Sequence, residues 1–160
     1  MEDLPNNLTA DHPRGPLGSA FDRVQIINLR RRSDRRVETE RELQALGESC
    51  DGHRLGFFDA VEPDDAGGFP SRGVRGCYMS HLAVLEAAAR DDIPMLLVME
   101  DDVAFVRDAG ELLIDAIEQL ARVEWDIAYF GHALDPVPGA PRWLPVTGPM
   151  RYAHCYAVHR

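Results

Sequence analysis

The chain has 160 residues, 45% of them hydrophobic, which is enough for one domain with a core of its own. Its formal net charge of -10 excludes a protein that wraps a nucleic-acid backbone. An anionic small ligand stays compatible, because a bound cation reverses the local field. All 17 basic residues are Arg, so no mechanism that needs a lysine amine can operate.

Met1 to Asp22 is rich in Pro, Gly, Asn and Asp without periodicity and reads as a mobile leader, leaving 23–160 as a single domain. It lacks the basic-then-apolar pattern of a secretory signal. Val24 to Leu29 is a short apolar run suited to a buried strand. The cluster Arg30 to Arg36 follows, in which Ser33 can cap a helix that ends near Leu46, with Gly47 as its stop. Phe57 to Val61 is a second strand. Glu62 to Arg72 is a loop, and a helix opens at Gly73 and Gly76 and runs to about Arg90.

Met95 to Met99 is apolar on both faces and should be central in a parallel sheet; it is far too short to cross a bilayer. Asp108 can cap the next helix, which carries Leu112, Leu113, Ala116, Ile117 and Leu120 at helical spacing. Trp125 to Phe130 is another strand, Leu134 to Pro149 an irregular loop, and Tyr152 to Val158 a last strand. Strands alternating with helices predict an α/β class with a mainly parallel sheet, whose ligands bind at the carboxyl ends of the strands.

The charged motifs fall at those ends. Glu100-Asp101-Asp102 follows five apolar residues, and three adjacent carboxylates repel one another unless a cation compensates them. Mg²⁺ and Mn²⁺ favour such oxygens and bridge protein acids to phosphates. A solvated strand end explains the triplet equally well on its own. The Arg cluster is suited to phosphate oxygens, as it is to a solvated basic face. His81, one turn into its helix, can donate to a phosphate or sugar hydroxyl, or can simply pack. Cys50, Cys77 and Cys155 are odd in number and widely spaced, which is no disulfide framework and fits a reducing cytoplasm. Cys50-x-x-His53 and Cys77-x-x-x-His81 each offer two metal ligands. Neither has a second pair at structural-zinc spacing, so a zinc site is not expected.

Taken together, these motifs resemble glycosyltransferase family 25. Ile27-Asn28-Leu29 with the following Arg30 to Arg36 is similar to the family's "INL, then basic, then DR" opening. Phe58-Asp59-Ala60-Val61 matches "FDAV", Gly76-Cys77-Tyr78-Met79-Ser80-His81-Leu82 matches "GC-x-x-SHL", and Leu97 to Val103 matches "LVxEDDV". A fifth, weaker match is Trp125-Asp126-Ile127 with Gly131. The resemblance implies a Rossmann-like fold of the GT-A type, a UDP-sugar donor and a divalent metal, Mn²⁺ or Mg²⁺. It also implies hexose transfer, of galactose, to a glycan or lipid-linked glycan acceptor in lipopolysaccharide or surface polysaccharide synthesis.

By the same resemblance, Asn28, Arg31 and Arg35 hold the nucleotide end, with Asp59, Ser80, His81 and Glu100 beside the donor. Asp102 leads metal binding, with Glu100 close by. Asp101, Asp102 and His81 are the catalytic candidates, and Asp135 in the late loop is a further candidate base. Val74 stands where the family often carries an acid. The sequence ends at Arg160, where family members normally continue, so a C-terminally shortened member is expected. Such a chain acts alone, with a partner, or as a nucleotide-sugar binder without a complete acceptor site. A cytoplasmic location follows, with peripheral association at the inner face of the inner membrane and homo-oligomerisation both compatible. A receiver domain of the signalling type, which also opens on adjacent acids, would need a Lys that the chain lacks.

Overall fold

The computed structural model describes residues 15–131, 143–150 and 153–160. Five strands form one sheet: β1 (Arg23–Asn28), β2 (Leu55–Asp59), β3 (Met95–Glu100), β4 (Ile127–Gly131) and β5 (Cys155–His159), in the order β2-β1-β3-β5-β4. Among the described residues, four helices accompany them: α1 (Pro16–Ala20), α2 (Ser33–Ala45), α3 (Arg72–Arg90) and α4 (Ala109–Leu120).

Strand alternation divides the core into two layers. On one face Val24, Ile26, Leu97 and Met99 meet Leu17 of α1 and Leu43 of α2, with Leu113 and Ile117 of α4 packed against them. On the other, Ile27, Leu96 and Val98 meet Val84 and Ala88 of α3. Gly76, Ser80, Val84 and Ala88 recur every fourth residue as the buried stripe of α3. Helices on opposite faces, with β2 and β3 on opposite sides of β1, make a doubly wound, Rossmann-like sheet.

Its parallel part is β2-β1-β3. The last strand makes the expected mainly parallel sheet a mixed one: β5 inserts between β3 and β4 and runs antiparallel to both, while β4 keeps the direction of the other three strands. The cause is local. Gly131 ends β4 and pairs with Cys155, the first residue of β5, so the chain re-enters the sheet at the end where it left. A strand entering there can only run the opposite way.

The boundary expected at residue 23 also shifts. Within the segment read as a leader, Pro16–Ala20 is helical, and Leu17 and Phe21 are 1% and 2% exposed in the core. Glu48, itself buried, accepts hydrogen bonds from the Leu17 and Gly18 amides at 2.6 and 3.0 Å, satisfying the open end of this short helix. Residues 1–14 of that segment lie outside the described residues, as do 132–142 with Asp135, and Tyr152.

One helix cap falls in the stretch expected to be a loop, and the expected caps are realised unequally. The Ser71 hydroxyl accepts from the Val74 amide at 3.2 Å and starts α3. Ser33 is instead the first helical residue of α2, whose N-cap is Arg32. Gly47 stops that helix with φ of 76°, a conformation that a side chain would disfavour. Asp108 holds the N-cap position of α4 without a side-chain cap bond. Among the described residues, no helix is long and apolar enough to cross a membrane.

Candidate functional site

The winding of the sheet reverses between β1 and β3, and the carboxyl ends of strands at such a reversal form the ligand crevice of open α/β sheets. A cleft of about 260 Å³ opens there on the α3 side. Ile27, Ser80, His81 and Glu100 line its depth, and the exposed Arg31, Glu62, Arg72 and Cys77 line its rim. Gly76 makes this closeness possible. A Cβ on it would sit 2.7 Å from the Val61 carbonyl oxygen, so α3 can approach the β2–α3 loop only without a side chain here.

The acidic triplet is taken apart by strand alternation. Glu100 continues the Leu96–Val98 face and turns to α3, where its Oε1 lies 3.3 Å from His81 Nε2. The other ring nitrogen, Nδ1, is 3.0 Å from the Tyr156 hydroxyl, and the two rings stack at 5.6 Å. The Cys77 sulfur beside the imidazole, then the Glu100 carboxylate, favour the protonated ring and lift His81 to about 9, against the opposing effect of burial. Both nitrogens of that cation are donors, to Tyr156 and to Glu100.

Asp101 continues the opposite face. Its Oδ2 accepts from Asn28 Nδ2 at 2.6 Å, across the reversal point. Asn28 is fully buried, donates also to the Arg32 carbonyl at 3.2 Å and accepts from Arg36 Nε at 3.3 Å. Arg36 extends the network to Asp59 at 3.1 Å and lies over the Phe57 ring at 4.6 Å. The buried Thr39 hydroxyl, within reach of the Arg35 carbonyl at 2.9 Å and the Asp101 carbonyl at 3.0 Å, ties α2 to the same turn. Asp102 is exposed and makes no hydrogen bond or ion pair among the described residues.

Of the expected site residues, the cleft therefore gathers Arg31, Ser80, His81, Glu100 and Asp101. Arg31 reaches it while paired with Glu62. Ser80 lends no free hydroxyl, since its Oγ accepts from the Val61 amide at 2.8 Å and donates to the Gly76 carbonyl at 2.6 Å. Asn28 and Asp59 stand behind the cleft as a frame for Asp101, because an even-numbered step along β1 puts Asn28 on the face away from α3. Arg35 pairs with Glu38 on its own helix at 3.5 Å and does not line the cleft. Sequence reading passed over Arg36, Arg72 and Tyr156. Arg36 was legible as one of the cluster, whereas Arg72 and Tyr156 carry no local signal and are recruited by α3 and by the inserted β5.

The expected metal can be tested against the donor set. Mg²⁺ and Mn²⁺ are held by one or two carboxylates together with substrate phosphates; Asp102 has no hydrogen bond or ion pair among the described residues, but it stands outside the residues that line the cleft. Glu100, the second expected ligand, is already held by His81.

A doubly wound α/β sheet with a cleft at its reversal point defines the class: a Rossmann-like α/β domain. The family model described as "Glycosyltransferase family 25 (LPS biosynthesis protein)" matches residues 21–134, and the chain belongs to that family. It is similar to procollagen galactosyltransferase 2 of Mus musculus, 29% identical over 79% of this chain and 23% of that protein. The inactive glycosyltransferase 25 family member 3 of Homo sapiens is 28% identical over 89% of this chain and 28% of its own length. A glycosyltransferase 25 family member of Anopheles gambiae is 30% identical over 79% and 24%. The chain thus spans about a quarter of the length of these relatives.

Proposed function

We propose that the cleft binds a nucleotide diphosphate sugar, UDP-galactose in the first instance, and that the domain transfers the hexose to a hydroxyl of a glycan acceptor in a GT-A-type arrangement. One observation carries the reading: the first turn of α3, with Arg72 and Gly73, opens onto the cleft opposite Arg31, at the reversal point of the sheet. Open backbone amides at a helix start and a flanking Arg are suited to a diphosphate. Arg72 has no ion-pair partner among the described residues, so its charge is available to the ligand.

Arg31 and Arg72 stabilise the diphosphate as negative charge develops on it, and protonated His81 adds a donor at the depth of the cleft. Asp102, next in the chain to the cleft-lining Asp101, would hold a divalent cation, whose charge would help to neutralise the same leaving group. Asp101 keeps one carboxylate oxygen clear while Asn28 holds the other, which suits it to accept the proton of the acceptor hydroxyl in an inverting reaction. This division separates the base from the metal-bound acid, which would be a poor base. The family description supports lipopolysaccharide synthesis as the setting.

The test is donor hydrolysis and transfer with and without Mn²⁺. Asp102→Ala is expected to lower turnover by roughly 10²-fold while leaving the far-UV circular dichroism spectrum unchanged. Equal, metal-independent turnover in both proteins would sink the reading. A second reading, a nucleotide-sugar binder without transfer, is favoured by the inactive relatives. Calorimetric binding of the UDP-sugar with no turnover supports it.

A further inference from the structure

We infer that Cys77, His81 and Glu100 form a cation site of their own, distinct from Asp102 and suited to a borderline-soft divalent ion such as Zn²⁺. One ligand atom from each of the three, a sulfur, a nitrogen and a carboxylate oxygen, lies within 4.8 Å of the others. Cys77 and His81 are four residues apart on α3, so both side chains leave the same side of the helix. Glu100 comes from the end of β3, and His81 Nε2 already points at its Oε1.

The second ring nitrogen is held by the Tyr156 hydroxyl at 3.0 Å, which fixes the ring and presents Nε2. Metal-binding histidines are oriented in this way by a partner on the other nitrogen. The mixture of thiolate, imidazole and carboxylate selects Zn²⁺ over Mg²⁺ or Mn²⁺, which prefer oxygen alone. Three protein ligands leave a fourth tetrahedral position, and all three line the cleft, so that position faces the ligand space. On binding, the Cys77 thiol and His81 Nε2 each release a proton to solvent, sulfur and nitrogen bond to the ion, and Nδ1 keeps its proton toward Tyr156. The site stands whether or not the cleft binds a nucleotide sugar. If it does, an ion here occupies space that the donor needs.

The test titrates the whole chain with Co²⁺, then displaces it with Zn²⁺. One equivalent of Co²⁺ should produce a near-ultraviolet sulfur-to-cobalt charge-transfer band that Zn²⁺ abolishes. Cys77→Ser should remove the band and weaken Zn²⁺ binding more than about tenfold, as should Glu100→Gln for affinity. Tyr156→Phe should weaken binding by roughly tenfold while keeping the band, because it orients a ligand without being one. Asp102→Asn and Cys50→Ser should change neither. Absence of the band, its survival in Cys77→Ser, or its loss in Cys50→Ser overturns the site. Cys77 is exposed, so its serine variant should fold, and matching far-UV spectra check this.

Discussion

His81 shows how much one side chain gains from its surroundings. Isolated, an imidazole is mostly neutral at neutral pH; here the Cys77 sulfur and the Glu100 carboxylate raise it to about 9. Because the folded value lies above the unfolded one of 6.5, the stabilisation is complete below that value and disappears as pH rises through about 9. The urea midpoint of the wild type should therefore fall across that window, and His81→Gln should flatten the profile there. An NMR titration of the His81 ring with a midpoint near 6.5 would refute the assignment. The residue's importance was readable from its motif, but its charge state was not. That depends first on the Cys77 sulfur brought beside the ring and then on Glu100, from another element.

Among the elements, α3 bears most of the site. Its buried stripe is legible in the sequence as small and apolar residues every fourth position. What the stripe touches is not legible, and Gly76 illustrates the difference. An exposed helical Gly replaced by Ala would gain about 1 kcal/mol in helix propensity. Here the added Cβ meets the Val61 carbonyl at 2.7 Å, and Ser80 clamps the same two segments by bonding the Val61 amide and the Gly76 carbonyl. Overpacking at a backbone contact costs about 1–3 kcal/mol, so the net effect of Gly76→Ala should be destabilising. Urea unfolding measures it, and an increase in stability would show that the loop yields freely. The motif "GC-x-x-SH" thus combines a packing device, Gly76 and Ser80, with two reactive groups, Cys77 and His81.

At the scale of the molecule, the hydrogen bond between Asn28 and Asp101 joins the two strands on either side of the winding reversal. With Arg36 reaching Asp59, one network ties together the ends of β1, β2 and β3. Asn28→Ala leaves half-buried partners unpaired around a buried site, and its expected cost is about 1–3 kcal/mol in urea unfolding. A loss below about 0.5 kcal/mol, the scatter of ordinary surface substitutions, would show that Asn28 has no framing role.

The sequence by itself determined the strands, the helices α2 to α4 and the acidic ends of the strands, because apolar periodicity acts over a few residues; α1 it did not show. It carried the family as well, through five short motifs in order. It left undecided which carboxylate faces which way, because that follows from strand register. Nor did it reveal that β5 enters antiparallel beside β3, since pairing across the sheet has no local signature. Only the tertiary structure separated Glu100-Asp101-Asp102 into a partner for His81, a partner for Asn28 and a carboxylate without a partner among the described residues. Alternating faces of one strand meet different helices, and each helix supplies its own neighbour.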